Sequence, residues 1–406
     1  MAVGLSGEIN PLPVAGARLG TASLGIRDDP RDDLTIIELA AGSRAAAVFT
    51  RNAFCAAPVT VAREHLGQEA PRYLIINAGN ANAGTGSRGL EDARSCCEAV
   101  AEHAGCNPRA VLPFSTGVIG EPLQTAYFPA AIDKAFAGLD ENGWTGAARA
   151  IMTTDTVPKA VSRDFDVAGR TLTVTGMVKG SGMIRPDMAT MLAFVATDAA
   201  VSQELLEDCL ARAVEHSFNR ITVDGDTSTN DACVLMATGA GGAPPVDDPS
   251  SDAARELRQA VSEVCTWLAH GIVRDAEGAT KFIAITVREG RDEEESLRLA
   301  YEVAHSPLVM TAMYASDANW GRILAVVGRA GIDELDLDAV RIHLGDVCIV
   351  SGGGRADDYT EESGQEVMSA DEIAVTIALG RGGAEATVWT SDFSHGYVTI
   401  NAEYRT

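Results

Sequence analysis

Short apolar runs closed by turn residues are mixed along this chain with longer stretches of helical periodicity, and their order is what most constrains the fold. Apolar runs predict strands at residues 34–39, 73–77, 111–114, 171–174 and 191–196, and later at 282–287, 323–327, 373–379 and 397–400. Helical spacing is clearest at 201–216, where Val201, Leu205, Cys209, Leu210 and Ala213 share a face and Ser202 stands near the N-cap. A second helix is predicted over 252–270, with Leu257, Val261, Val264 and Leu268 on one side and Gly271 as its stop, and others at 90–103 and 294–304. The elements follow no steady β-α-β rhythm. The pattern therefore implies an α+β fold of layered sheets covered by helices rather than a doubly wound sheet. Residues 239–251 (GAGGAPPVDDPSS) and 290–295 (GRDEEE) read as surface connections, the second as a solvated charge run.

With 406 residues the chain has enough length for two lobes or one large body. Hydrophobic content of 46% against 22% charged argues for a soluble globular protein. The formal charge of −25, from 57 acidic and 32 basic side chains, repels phosphate backbones and anionic bilayers, so neither nucleic acid nor membrane is expected as a partner. A small anionic substrate would need its own cation in the site. The eight cysteines include no C-x-x-C pair or zinc spacing, which favours a reduced compartment and no metal. The N-terminal segment lacks a secretory signal pattern and no apolar run approaches a bilayer span; the expected location is cytoplasmic.

Residues 179–194 read KGSGMIRPDMATMLAF, and the Ala189-Thr190 bond within them carries the sharpest chemical suggestion. If that bond were cut, Thr190 would offer a hydroxyl nucleophile and an α-amine to take its proton, both on one residue. A free α-amine titrates near ~7.7–8.0, so a useful fraction is unprotonated close to neutral pH. The ordinary use of such a threonine is as a half-buried strand residue, and local context alone leaves both readings open.

Other segments have the same double character. Residues 111–120 (VLPFSTGVIG) run from an apolar strand into Ser115-Thr116-Gly117. A glycine N–H beside a threonine hydroxyl is what an oxyanion hole requires, although strand-to-turn glycines are common. Residues 152–159 (MTTDTVPK) cluster three threonine hydroxyls and an aspartate, suited to a polar ligand or to turn capping. Lys179, in a glycine-rich loop, suits a substrate carboxylate, and Glu277, in DAEGATKF, a substrate amine. Residues 223–231 (VDGDTSTND) fail as a calcium loop, because Thr229 and Leu235 replace the required glycine and glutamate; a network of hydrogen bonds near a site is the better reading. Gly84–Gly89 matches G-x-G-x-x-G, but the preceding strand ends too early for a dinucleotide site, and residues 77–86 read as a tight hydrogen-bonded loop. No histidine falls in a hydrolase or metalloprotease motif.

Taken in order, these segments resemble the ornithine acetyltransferases of arginine biosynthesis, also called glutamate N-acetyltransferases. The matching stretches are FTRNAFCAAPV (49–59), INAGNANAGTG (76–86), STGVIG (115–120), IMTTDTVPK (151–159), KGSGMIRPDMATMLAF (179–194), FNRITVDGDTSTND (218–231), EGATKF (277–282), SPLVMTAMYASDANWGRI (306–323) and SDFSHGYVTINAEYRT (391–406). They span essentially the whole chain. The chain departs from the usual family pattern at Met310, Ala315, Ala318 and Leu123-Gln124-Thr125, none of them a proposed site position.

The resemblance implies an αββα-type sandwich like that of the self-processing aminopeptidases, with a smaller C-terminal lobe. It implies self-cleavage between Ala189 and Thr190 into an α chain of residues 1–189 and a β chain of 190–406, pairing further into a heterotetramer. It also implies acetyl transfer from N2-acetyl-L-ornithine to L-glutamate without a cofactor; some members use acetyl-CoA as a second donor. Carried over by position, Thr190 is the nucleophile and Thr116 with Gly117 the oxyanion hole. Thr153, Lys179, Thr190, Glu277, Asn401 and Thr406 match substrate-binding positions. The rival implied by the shared architecture is an N-terminal-nucleophile amidohydrolase or aminopeptidase that passes the acyl group to water; Lys179, Glu277 and the INAEYRT tail favour an amino-acid acceptor.

Overall fold

The computed structural model describes residues 2–26, 31–185 and 191–403. Ala189, Thr190 and Thr406 lie outside the described residues, as do both sides of the expected cleavage. The chain divides into two compact units, one of Gly7–Asn219 with Thr227–Ile272, the other of Met1–Ser6, Arg220–Asp226 and Val273–Tyr404.

The larger unit is built on two sheets. A four-stranded sheet runs in the order Ala17–Ala22, Leu34–Leu39, Tyr73–Asn80, Val111–Val118, with only the last pair parallel. A five-stranded sheet runs Arg44–Phe49, Ala232–Ala237, Leu192–Thr197, Arg170–Lys179, Lys159–Val167, with Leu192–Thr197 parallel to Ala232–Ala237. Ile37, Leu39, Leu74, Ile76 and Phe114 of the first sheet share one core with Met177, Leu192, Phe194, Val234 and Met236 of the second. Phe114 and Phe194 meet edge to face across it, their centroids 5.1 Å apart. Alternate residues on the first sheet, such as Leu34, Ile36, Ile75 and Val111, form a separate core with Cys97 and Val100 of the helix Gly86–Ala104 and Phe128 and Ile132 of Phe128–Ala137. Burial on both faces explains why a central strand such as LTIIEL carries apolar Leu34, Ile36, Ile37 and Leu39 toward both cores, with only Thr35 and Glu38 polar. On the outer face of the second sheet, a Cβ at Gly176 would meet Val264 and Leu268 of the helix Asp252–Arg274. The layers are helix, sheet, sheet, helix, as the αββα expectation required.

In the smaller unit a six-stranded sheet runs Gly354–Arg355, Val347–Ser351, Arg341–Leu344, Glu372–Ala378, Phe282–Gly290, Ala384–Ser391. Ile283, Ile285 and Val287 point into a core with Leu299 and Val303 of the helix Glu293–Ala304 and Ile323 and Val327 of Trp320–Arg329, while Ala284 and Thr286 between them are half-buried. This alternation marks a sheet packed mainly on one side.

Several expected elements come out differently. Residues 323–327 are helical, not a strand: they lie in Trp320–Arg329, where Asn319 caps the Arg322 N–H and Ile323, Val326 and Val327 are buried at helical spacing. Residues 397–400 fall in the helix His395–Glu403. Gly271 does not stop its helix, which continues to Arg274; a Cβ there would come 3.3 Å from Lys159 Cδ, so the glycine makes room for a buried lysine stem. The 290–295 charge run is not simply solvated. Asp292 caps the next helix by accepting the Glu295 N–H, and Glu295, 3% exposed, pairs with Arg381 at 3.0 Å.

Candidate functional site

In the larger unit the strand Val111–Val118 ends beside a bulge at Gly79 and Asn80 of its parallel neighbour. Gly117 lies near the end of this strand, in register with Gly79, with φ +132°, and a Cβ there would lie 2.2 Å from the Gly79 carbonyl carbon. Only glycine fits that approach. The preceding residues are pinned by short contacts: Ser115 Oγ donates to Asn77 Oδ1 at 2.6 Å, and Asn77 Nδ2 donates to the Asn80 carbonyl at 2.9 Å. Of the segment 77–86 expected to be a loop, residues 77–80 continue the strand Tyr73–Asn80 and Gly86 opens the helix Gly86–Ala104; the loop is confined to 81–85, where Asn82 Nδ2 donates to the Gly89 carbonyl and Thr85 Oγ1 to Asn82 Oδ1.

Facing it from the second sheet, Lys179 Nζ donates to Thr116 Oγ1 at 3.1 Å. A hydroxyl oxygen that accepts from an ammonium keeps its own hydrogen available, so Thr116 can donate onward. Lys179 is paired in register with Leu192, the first residue of the strand that follows the expected cleavage point. A cut between 189 and 190 would therefore leave its two products hydrogen-bonded in one sheet.

Asp155 organises the segment around Thr153. Its Oδ1 accepts from the Gly180 N–H at 2.8 Å and pairs with Lys159 Nζ at 2.7 Å, and its Oδ2 accepts from the Thr153 N–H at 3.1 Å. Burial opposes ionisation of Asp155, but Lys159, then Lys179, and the Gly180 N–H outweigh it and hold the carboxyl well below the usual carboxylate range. One buried anion thus fixes Thr153 and the backbone just after Lys179. Asp231, 2% exposed, is the opposite case: burial pushes its carboxyl well above the usual range against the pull of Ser228 and Lys179.

In the smaller unit Glu277, 8% exposed, accepts from Asn401 Nδ2 at 2.8 Å, so these two expected residues are brought together. Gly278 has φ +72° and a Cβ there would lie 2.3 Å from Tyr397 N, while Ser394 Oγ donates to the Gly278 carbonyl at 2.6 Å. The neighbouring Tyr397 hydroxyl is held far above its ordinary value by burial and by the charges of Asp224, Glu277 and Asp226. A place this negative suits an ammonium group. Thr116, Gly117, Thr153 and Lys179 thus belong to the larger unit and Glu277 and Asn401 to the smaller. Among the described residues no group of three or more His, Cys, Asp or Glu is arranged to hold a metal ion, and no helix is long and apolar enough to cross a membrane. All eight cysteines are free.

Sequence reading missed Asp155, Lys159 and Asn230 as individual site supports. Their only signals were the clustered polar residues of MTTDTVPK and VDGDTSTND, the second already read as a hydrogen-bond network near a site.

A hydroxyl polarised by lysine, next to a glycine at a strand end, is chemically suited to negative charge on a carbonyl oxygen. The fold and this cradle together define a layered α+β protein built for acyl-group chemistry. The chain belongs to the ArgJ family, whose profile matches residues 18–406. It is 58% identical over 399 residues to the arginine biosynthesis bifunctional protein ArgJ of Methylococcus capsulatus, covering 98% of this chain and 97% of that one. The protein of the same name from Pseudomonas fluorescens is 52% identical, with full coverage of both. A crystal structure of ornithine acetyltransferase complexed with ornithine from Mycobacterium tuberculosis shares 32% identity over 46% of this chain and 98% of that chain, with a TM-score of 0.39.

Proposed function

We propose that the chain is a self-cleaving acyltransferase of arginine biosynthesis that moves acetyl from N2-acetyl-L-ornithine to L-glutamate. The observation that carries this reading is the Lys179–Thr116–Gly117 cradle, held at the ends of two facing sheets. Thr190 Oγ attacks the acetamide carbonyl, its α-amine takes the hydroxyl proton, and Thr116 and Gly117 stabilise the oxyanion. The C–N bond breaks, the proton passes to the leaving amine, and ornithine departs. Glutamate's amine then attacks the acetyl-threonine ester by the same path in reverse. In the larger unit Lys179 and Thr153 suit a carboxylate, and in the smaller unit Glu277 and Asn401 suit an ammonium group; these residues and Thr406 are assigned to substrate binding by family position.

Maturation uses the same hydroxyl. Thr190 Oγ attacks the Ala189 carbonyl, the acyl group shifts from nitrogen to oxygen, and water hydrolyses the ester to release residues 1–189 from 190–406. The relatives are named bifunctional, which supports a second donor, acetyl-CoA; neither transfer requires a cofactor. The two products pair into a heterotetramer in the cytoplasm.

The test is transfer by the purified protein with acetylornithine and glutamate, acetyl-CoA and glutamate, and acetylornithine alone. Glutamate-dependent release of ornithine supports the reading. Release of ornithine and acetate at the same rate without glutamate would make the protein a hydrolase.

A further inference from the structure

Asn230 is 6% exposed and stands two residues before the strand Ala232–Ala237, whose sheet packs against the one that carries Thr116 and Gly117. Its side-chain amide is a fork. Nδ2 donates to the Ala81 carbonyl at 2.6 Å and to the Ser115 carbonyl at 2.9 Å, while Oδ1 accepts from Thr229 Oγ1 at 2.6 Å, which fixes the amide's orientation.

The two carbonyls bracket the cradle. The Ser115 carbonyl and the Thr116 N–H belong to one planar trans peptide, so tying down the oxygen sets the plane from which Thr116 projects. Ala81 in turn donates its N–H to the Val118 carbonyl at 2.9 Å, so the second arm of the fork acts on the strand end beyond Gly117. Thr116 and Gly117 lie between these two anchors.

We propose that Asn230 is a positioning residue that aims the Thr116–Gly117 cradle by clamping the backbone on both sides of it. This inference rests on the cradle being the oxyanion site. Asparagine suits the task because it supplies two N–H groups from one nitrogen to buried carbonyls; aspartate has none to give, leucine fills the space without donors, and serine can serve one carbonyl but not both. Removing the fork leaves the carbonyls to repair their hydrogen bonds by rotating the peptides that carry Thr116 and Gly117. The transition state then loses stabilisation while ground-state binding of substrate does not.

The experiment compares wild type with Asn230→Leu, Asn230→Ser and Thr116→Ala, measuring kcat and KM per cleaved enzyme together with thermal melting. Loss of a whole oxyanion donor lowers kcat by about 10²–10³. Misaiming one by the loss of its clamp is expected to lower kcat about 10- to 100-fold in Asn230→Leu with KM within about threefold, and Asn230→Ser, keeping one donor, recovers part of the loss. A folded Asn230→Leu or Asn230→Ser enzyme with wild-type kcat, or a loss confined to KM, overturns the proposal. If Asn230→Leu does not accumulate as folded protein, the serine variant decides alone. An inactive wild type, or a Thr116→Ala variant with full activity, instead overturns the reading of the cradle and this inference with it.

Discussion

Replacing Gly117 by alanine tests the geometry of the cradle directly. The new Cβ would lie 2.2 Å from the Gly79 carbonyl carbon and 2.6 Å from both Gly79 Cα and Asn80 N, all of them backbone atoms. No side chain can swing aside, so the two parallel strands must separate or the backbone at Gly117 must change conformation. Forcing an L-residue into this positive-φ region costs about 1–3 kcal/mol. Overpacking against rigid neighbours costs about 1–3 kcal/mol more. The sum, about 2–6 kcal/mol, is a large share of the ~5–15 kcal/mol that stabilises a typical domain. Relief of the strain by moving residue 117 would displace its N–H from the proposed oxyanion position, at about 10²–10³ in kcat. Thermal melting and acetyl transfer by Gly117→Ala should therefore both fall, and activity should fall even in whatever fraction remains folded. A variant with wild-type melting temperature and wild-type kcat would refute the assignment of Gly117 as a close-packed oxyanion donor.

Removing the inter-sheet ring with Phe194→Ala should destabilise the larger unit by about 3–5 kcal/mol, read by denaturant unfolding. Lys159→Met leaves the buried Asp155 carboxylate without its ion-pair partner, at about 3–5 kcal/mol. Adding Asp155→Asn should return part of that loss, and a double variant no better than the single one would count against the pairing. Asp231 makes stability depend on pH in the opposite direction from Asp155. Its folded-state pKa is raised by burial, so the folded protein holds a proton that the unfolded chain has released. Stability is therefore lost as pH rises above the ordinary aspartate range of about 3.9 toward the raised value. Asp231→Asn removes that loss, and its melting temperature should gain on wild type between pH 4 and pH 8; a gap that stays constant would contradict the buried, protonated carboxyl. For Asp155 the folded pKa is depressed, and its contribution is present above the ordinary aspartate range and lost as pH falls through it.

The parts of the fold that sequence made legible are those in which one residue type answers one environment. Leu34–Leu39, Tyr73–Asn80 and Leu192–Thr197 are buried on both faces and so are predominantly apolar rather than alternating. The helix Gln203–Glu215 shows its face and its Ser202 cap as expected. Edge strands were harder to read. Lys159–Val167 (KAVSRDFDV) lies at the edge of its sheet and carries charges, and Arg44–Phe49 is half alanine, so neither has a distinctive pattern. The segment 323–327 misled because a run of ILAVV suits a strand or a helix equally; the cap at Asn319 and the spacing of the buried residues decide for the helix.

For the site, the resemblance identified Thr116, Gly117, Thr153 and Lys179, and the structure brings Lys179 onto Thr116 and ties Thr153 to the backbone that follows Lys179. Sequence did not indicate that Asp155 and Lys159 form a buried pair beneath them, because an aspartate four residues before a lysine resembles any surface ion pair until burial is known. Asn230 was hidden for a similar reason. Its role depends on two carbonyls more than 100 residues away, and no local pattern reports such a contact.

The central claim is that Thr190, exposed as a new N-terminus, carries the acetyl group between donor and acceptor. Intact-mass analysis of the purified protein, quenched during turnover with acetylornithine in the absence of glutamate, tests it most directly. The account predicts two chains, the second beginning at Thr190 and heavier by one acetyl group, which disappears when glutamate is added. A single uncleaved chain of 406 residues that transfers acetyl at full rate, or an acetyl group found on any other residue, would contradict it.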